Sequence, residues 1–169
     1  MVLVQIFLAY VYSHFLEYFL HRWFLHKRIS KTWFKYHWGL HHKKARQNQM
    51  IDSKYDGLKN LYKDDEVIGL SVLAIFHLPL YFVFPFAYFT LVYAAIEYYV
   101  LHRLAHSYDG WGRKYLSWHY DHHMGPNQNL NWGVRLPLID RMVGTRTIYK
   151  DTKREKTLKF KTKRRRVRE

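Results

Sequence analysis

The sequence contains no cysteine, which excludes disulfide bonds and thiolate metal ligands. It has only 13 acidic residues against 28 basic ones, so its formal net charge is +15 and an anionic partner is expected, either nucleic acid or an acidic membrane surface. Two long stretches lack basic residues altogether, because the first Lys or Arg is Arg22 and none lies between Lys63 and Arg103. Charge and apolar residues are therefore segregated along a chain of single-domain length. This favours a membrane protein over a specific nucleic-acid binder, despite a mean hydropathy of −0.40.

The first apolar stretch, Val2 to Leu20, has about the length that is needed to cross a bilayer as one helix. It lacks the positively charged start and the small-residue cleavage site of a signal peptide. We therefore interpret it as an uncleaved membrane helix over about residues 2 to 25.

The second apolar stretch, Val67 to Leu101, is too short for two full spans and predicts a tight hairpin of short helices over about residues 67 to 105. Its turn is expected around Pro79 to Pro85. A hairpin returns the chain to the side on which the first helix ends, so all basic residues share one face, which the positive-inside rule makes cytoplasmic, with Met1 on the far side. The predicted fold is all-α, an integral-membrane helical bundle with a cytoplasmic histidine-rich helical cap.

Two polar segments complete the cap. The run from Lys43 to Tyr62 has few apolar residues and predicts a loop or short helices that can cover a site. Residues 146–169 form a basic tail that carries +9 of the net charge of +15. We expect this tail to be a solvated arm in contact with anionic lipid, without a catalytic role, and residues 1–145 to form a single membrane-embedded domain.

Ten of the 12 histidines fall into two similar halves, each a spaced pair followed by a group that ends in His-His. Residues three or four apart lie on one face of a helix, so each half can direct several imidazoles to one point, which is metal-ligand spacing. The candidate ligands are His21, His26, His37, His41, His42, His102, His106, His119, His122 and His123. The other two, His14 and His77, stand alone in apolar segments and are interpreted as ordinary packed histidines.

Imidazole suits iron, zinc, copper and nickel, and a structural zinc site would use only about four of these ten ligands. Ten nitrogens divide into about five for each of two metals, which leaves a sixth octahedral position for oxygen or water. Two irons can share the four electrons of dioxygen reduction. Adjacent histidines point about 100° apart on a helix, so the His41–His42 and His122–His123 pairs can each address two metals or bracket one.

Carboxylates can hold such imidazoles in the metal-binding tautomer. Glu17 precedes His21 by one helical turn and is a candidate acceptor, although pairing with Arg22 at the membrane interface is an equal alternative. Asp121 and Asp109 are further candidates, and Asp109 fits a helix cap or a surface ion pair at least as well.

Four segments together resemble the histidine boxes of the fatty acid hydroxylase superfamily of integral-membrane di-iron enzymes, which includes sterol desaturases, sphingolipid fatty-acid hydroxylases and carotenoid hydroxylases. They are EYFLHRWFLH (Glu17 to His26), HWGLHH (His37 to His42), LHRLAH (Leu101 to His106) and WHYDHH (Trp118 to His123). The segment NWGVRLPLIDRMVGT, from Asn131 to Thr145, is similar to the element that follows the last box, and it adds Asp140 to the candidate acceptors. In the second box three residues, instead of the usual two, separate His37 from the His-His pair, which makes His37 the least secure ligand.

The resemblance implies dioxygen-dependent attack on an unactivated C–H bond of a lipid by a centre of two iron ions, with zinc as a possible substitute. It also implies electrons from a separate cytochrome or ferredoxin type of protein. Two other classes remain open: a histidine-metal membrane protein with non-oxidative or lost activity, and a non-enzymatic basic membrane adaptor.

Overall fold

The structure is a computed structural model that describes residues 1–57 and 61–157. Within these ranges the protein is helical and contains no strand, so the predicted all-α class is confirmed for this part of the chain. Residues 158–169, which are half of the predicted basic tail, lie outside the described residues.

Helix α1, Val2–Leu25, is the one helix among the described residues that is long and apolar enough to cross a membrane. At 1.5 Å per residue it is about 36 Å long. Most of its first two turns is exposed apolar surface, including Leu3 and Phe7. Its last part, Leu20–Leu25, is a π-helix, in which each backbone N–H bonds five residues back instead of four.

Helix α2 follows a short 3₁₀ turn, Arg28–Ser30, and consists of three consecutive parts. An α-helical turn at Thr32–Phe34 leads into a second π-helix at Lys35–His41 and then into regular α-helix at His42–Gln47. The connection to the next helix contains 3₁₀ turns at Ser53–Tyr55 and Leu61–Lys63. It therefore matches the predicted segment of loop and short helices.

The predicted hairpin consists of α3 (Asp65–Phe76), α4 (Pro79–Val83) and α5 (Pro85–Ser107). Prolines occupy the first turns of α4 and α5, where the missing N–H costs no hydrogen bond, and they place the turn where it was expected. Both short helices pack against α5. The hairpin thus pairs two short helices with one of 23 residues.

We use the word cap for helix α2, the helices that follow α5 and the loops that join them. The helices after α5 are α6 (Trp111–Tyr115), α7 (Ser117–Met124) and α8 (Leu138–Met142). Helices α1 and α5 form the most extensive helix pair, and their histidine-bearing ends lie together under the cap. The buried apolar side chains of the cap form two small clusters. These are Met50, Ala105, Leu116, Tyr120 and Tyr149 in one, and Tyr18, Trp132 and Ile139 in the other.

A buried ion network joins the loop before α8 to the two long helices. The guanidinium of Arg135 lies 2.7 Å from Glu17 on α1 and 3.2 Å from Glu97 on α5, and it donates to Ser13 at 2.9 Å. The side chain of Arg135 is only 2 % exposed. The network compensates charges that would be costly to bury alone.

Replacing Arg135 by Ala should therefore destabilise the fold by about 3–5 kcal/mol, because the buried carboxylate of Glu17 and the partly buried carboxylate of Glu97 would lose their cation. The measurement is thermal unfolding of the purified protein in detergent. Arg141→Ala, at an exposed position of α8, is the matched control and should change little. Equal melting temperatures for the two variants would contradict this role of Arg135.

Candidate metal centre

All ten histidines of the two halves lie together under the cap and are at most 8 % exposed. They form two groups whose ring nitrogens converge closely enough for each group to hold a metal ion. The first group is His21, His26, His37, His42 and His122, and the second is His41, His102, His106 and His123. His119 adjoins the second group, with its Nε2 atom 2.9 Å from Nε2 of His106.

The adjacent histidine pairs connect the two groups. His42 and His122 belong to the first group, whereas their neighbours His41 and His123 belong to the second. The rings of His42 and His123 lie only 4.2 Å apart between centroids, so the groups are in contact. Each group thus draws histidines from both halves of the sequence.

The two π-helical segments explain the histidine spacing. Residues five apart share a face where the helix repeats with i→i+5 hydrogen bonds, and both His21–His26 and His37–His42 are five apart. Nε2 of His37 lies 3.0 Å from Nε2 of His21 and 3.2 Å from Nε2 of His42. The helix therefore bulges locally and absorbs the extra residue, so that His37 reaches the first group in spite of its irregular spacing.

Backbone carbonyls orient three of the rings. The Nδ1 atoms of His21, His106 and His122 lie 2.5, 2.5 and 2.7 Å from the carbonyls of Trp132, Met50 and Leu130. A carbonyl can only accept, so each Nδ1 carries the proton and each Nε2 presents a lone pair to its group.

The backbone is shaped for these contacts. Met50 has a φ of +84°, an uncommon conformation for a residue with a side chain. At Gly133, the residue after Trp132, any side chain would collide with the carbonyl of Leu136. These conformations place the two carbonyls that His106 and His21 require.

Two acidic residues that were absent from our candidates orient further rings. Nδ1 of His41 donates to Asp52 at 3.1 Å, and Nδ1 of His102 lies 2.8 Å from Glu66 and 3.1 Å from the hydroxyl of Tyr55. Asp52 and Tyr55 lie in the segment that was predicted to cover a site. That prediction was the available signal, but it did not single out individual residues.

The acidic residues that we predicted as acceptors have other partners among the described residues. Glu17 accepts from the backbone of Val134 and Arg135, and Asp140 accepts from the N–H groups of Trp132 and Gly133 at 2.9 and 2.7 Å. Both carboxylates thus hold the loop whose Trp132 carbonyl contacts His21.

Asp121 is likewise engaged away from the rings. It accepts from the backbone N–H groups of Tyr149 and Lys150 and lies 2.8 Å from Arg146. Asp109 is exposed. The prediction of direct contacts between these carboxylates and imidazoles is therefore corrected, because sequence proximity to a histidine did not specify where each carboxylate points.

Burial favours the neutral, metal-binding form of several of the clustered histidines. Burial, with a smaller contribution from neighbouring imidazoles, holds the pKa of His37, His41 and His42 well below its usual value, and the same holds for His119 and His123. At neutral pH these rings therefore offer lone pairs instead of positive charges.

The arrangement fits a bound cation. In the pairs His21–His37, His42–His122 and His106–His119 the facing Nε2 atoms are 2.9–3.2 Å apart, although one ring of each pair carries its proton on Nδ1. Two nitrogens bound at right angles to one metal, each about 2.0–2.1 Å from it, are roughly 2.9 Å apart. A shared metal ion would produce the observed spacing, as an N–H···N hydrogen bond between the two rings also does.

An apolar cavity of about 520 Å³ begins at the histidine groups and runs between α1, α3 and α5. His21, His37, His41 and His102 line one end. Leu16, Leu70, Leu73, Leu91 and Val92 are among the side chains of its walls. An aliphatic chain in this cavity would therefore reach both groups.

The two lone histidines lie apart from the groups. His14 is buried in α1 and packs against the ring of Tyr10. His77 ends α3 and contacts Tyr12.

The comparisons with known proteins agree with this arrangement. The family model described as Fatty acid hydroxylase matches residues 6–145 of the chain. No curated protein and no solved structure matched the chain.

We expect the purified protein to hold about two metal ions per chain, one at each group. His26→Ala/His42→Ala should lose the ion of the first group and His102→Ala/His106→Ala that of the second, because each pair removes two converging nitrogens. Metal content per chain, measured by mass spectrometry, should fall to about one in each variant. His14→Ala is the control and should keep both ions. One ion per chain in the wild type, or two in either double variant, would contradict two separate sites.

Asp52→Ala should weaken metal binding at the second group by about 10–100-fold, the usual effect of removing the partner of a metal-bound imidazole. The measurement is competition for zinc against a chelator of known affinity. Asp56→Ala changes an exposed carboxylate four residues away and serves as the control. If both variants bind zinc equally well, Asp52 does not orient His41.

Proposed function

This chain belongs to the fatty acid hydroxylase family, and from that premise we propose that it is an integral-membrane di-iron oxidoreductase that uses dioxygen to hydroxylate or desaturate a C–H bond of a lipid. The observation that carries the proposal is the meeting of two histidine groups with one end of an apolar cavity. The substrate classes that we consider are fatty acyl chains, sterols and carotenoids.

The ten histidines are the proposed ligands of two iron ions. Bound iron would supply the electron transfer that dioxygen reduction and attack on an unactivated C–H bond require. The carbonyls of Met50, Leu130 and Trp132, together with Asp52 and Glu66, keep the ring nitrogens in their metal-binding tautomer. All ten proposed ligands are neutral imidazoles, so they would leave the positive charge of the bound ions uncompensated.

The cavity is the proposed binding site for the lipid chain. Its apolar walls exclude water and hold the chain against the histidine end, so that a C–H bond lies near the ligand nitrogens. It passes between helices that expose apolar side chains, including Phe76 on α3 and Phe89 on α5. This placement supports entry of the substrate from the bilayer.

We place the cap, the metals and the C-terminus on the cytoplasmic side, where the positive-inside rule puts a basic face. The segment that carries the first-group histidines also carries exposed basic side chains. These are Lys27, Arg28, Lys31, Lys35, Lys43 and Lys44. Such a surface attracts an acidic electron donor of the cytochrome or ferredoxin type.

The test is to compare the lipids of cells that produce the wild-type protein with those of cells that produce His122→Ala/His123→Ala, which loses one ligand from each group. We expect a hydroxylated or desaturated lipid in the wild type alone, together with dioxygen uptake by iron-loaded protein when a reductant is supplied. His14→Ala should yield the same product as the wild type.

Two results would contradict the proposal. Metal-loaded wild-type protein that takes up no dioxygen and changes no lipid would indicate non-oxidative or lost activity. Product that persists in the double variant would show that the oxidation comes from another enzyme of the host cell.

A further inference from the structure

A hydrogen-bonded pair of side chains lies in the apolar cavity away from the histidine groups. The hydroxyl of Tyr12 on α1 is 3.2 Å from Nε2 of His77, the residue at which α3 ends, and both side chains line the cavity. The hydrogen bond is exposed, and Tyr12 itself is 45 % exposed, so a polar group on a chain that occupies the cavity can reach the pair.

The hydrogen bonds settle which atoms of the pair carry protons. Nδ1 of His77 lies 2.8 Å from the carbonyl of Leu73, which can only accept, so the ring proton is on Nδ1. Nε2 is then an acceptor, and the hydroxyl of Tyr12 donates to it. Nδ1–H of His77 and the hydroxyl of Tyr12 thus both donate within the protein, whereas the oxygen of Tyr12 can still accept a hydrogen bond. A polar group of a ligand can therefore donate a hydrogen bond to the pair, but the pair has no free proton to donate in return.

The distance of the pair from the metal centre follows from helix geometry. Nine positions separate Tyr12 from His21 on α1, which corresponds to about 14 Å. Eleven positions separate His77 from Glu66, the partner of His102, which corresponds to about 16 Å along α3. The distances along α1 and α3 are therefore similar, and both place the pair about 15 Å from the histidines.

We propose that Tyr12 and His77 bind the hydroxyl group of the substrate, which donates its proton to the oxygen of Tyr12. The inference rests on the proposed function, because it assumes that the chain in the cavity is the substrate. An extended chain advances about 1.2 Å per bond, so about a dozen bonds separate this hydroxyl from the oxidised carbon. The preferred substrate is then an apolar chain with a proton-donating group at that spacing.

The acceptor character of the pair makes the inference specific. An alcohol gains a hydrogen bond to Tyr12, whereas its methyl ether has no proton to donate and meets only acceptors. The lost hydrogen bond corresponds to a roughly 3- to 10-fold difference in affinity. Chain length and apolar surface remain nearly the same.

The experiment measures binding without oxidation. Protein loaded with zinc, which binds imidazole but has no redox chemistry, is mixed with 1-hexadecanol or with hexadecyl methyl ether, and the bound ligand is quantified by native mass spectrometry. We expect the wild type to bind the alcohol about 3- to 10-fold more tightly than the ether. In Tyr12→Phe/His77→Phe this preference should disappear.

Single variants and a control sharpen the test. His77→Phe frees the hydroxyl of Tyr12 to donate to the ether as well, so the preference should narrow without vanishing. Tyr81→Phe removes a hydroxyl on the neighbouring helix α4 and should keep the full preference. Melting temperatures identify any variant that fails to fold, and the single variant then decides.

The inference is overturned if the wild type binds alcohol and ether equally, or neither, or if the folded double variant keeps the preference. Lower melting temperatures with an unchanged ligand ratio would show that the pair only ties α1 to α3. Because binding is measured on zinc-loaded protein, an alcohol preference without dioxygen-dependent product would refute the proposed function alone. Lipid oxidation without the preference would refute this inference alone.

Discussion

Imidazole nitrogens from separate helices face one another at 2.9–3.2 Å in the interior of the cap. Two lone pairs that face each other repel unless a proton or a cation lies between them, and burial removes the water that would otherwise screen them. The arrangement is therefore kept together by contacts outside the two groups and by the proposed metal ions within them.

The contacts outside the groups connect the candidate metal centre to the long helices. Asp140 holds the loop that presents the Trp132 carbonyl to His21, and the same loop inserts Arg135 between Glu17 and Glu97. The ion network between α1 and α5 thus fixes the position of a carbonyl that orients a ring. One short loop therefore contacts both the helix pair and a ring of the first histidine group.

The spacing of the histidines in the sequence predicted most of the residues of the site, because residues one helical turn apart lie on one face of a helix. It identified all ten clustered histidines, and it left open whether each adjacent pair addresses two metals or brackets one, whereas the structure divides both pairs between the two groups. It marked His37 as the least secure ligand, because the π-helical bulge that brings its ring to the first group is not specified by helical periodicity. It failed for the orienting carboxylates, since Asp52 and Glu66 approach the rings through tertiary contacts.

The sequence by itself determined the all-α class, the apolar first helix, the hairpin and the set of histidines that meet, because each follows from local periodicity, charge segregation or proline position. Only the tertiary structure decided which carbonyls and carboxylates hold the rings, and that the pair of Tyr12 and His77 lies in the same cavity as the histidines. These contacts join residues far apart in the chain. Their partners are selected by packing of helices and loops in three dimensions, which no single stretch of sequence encodes.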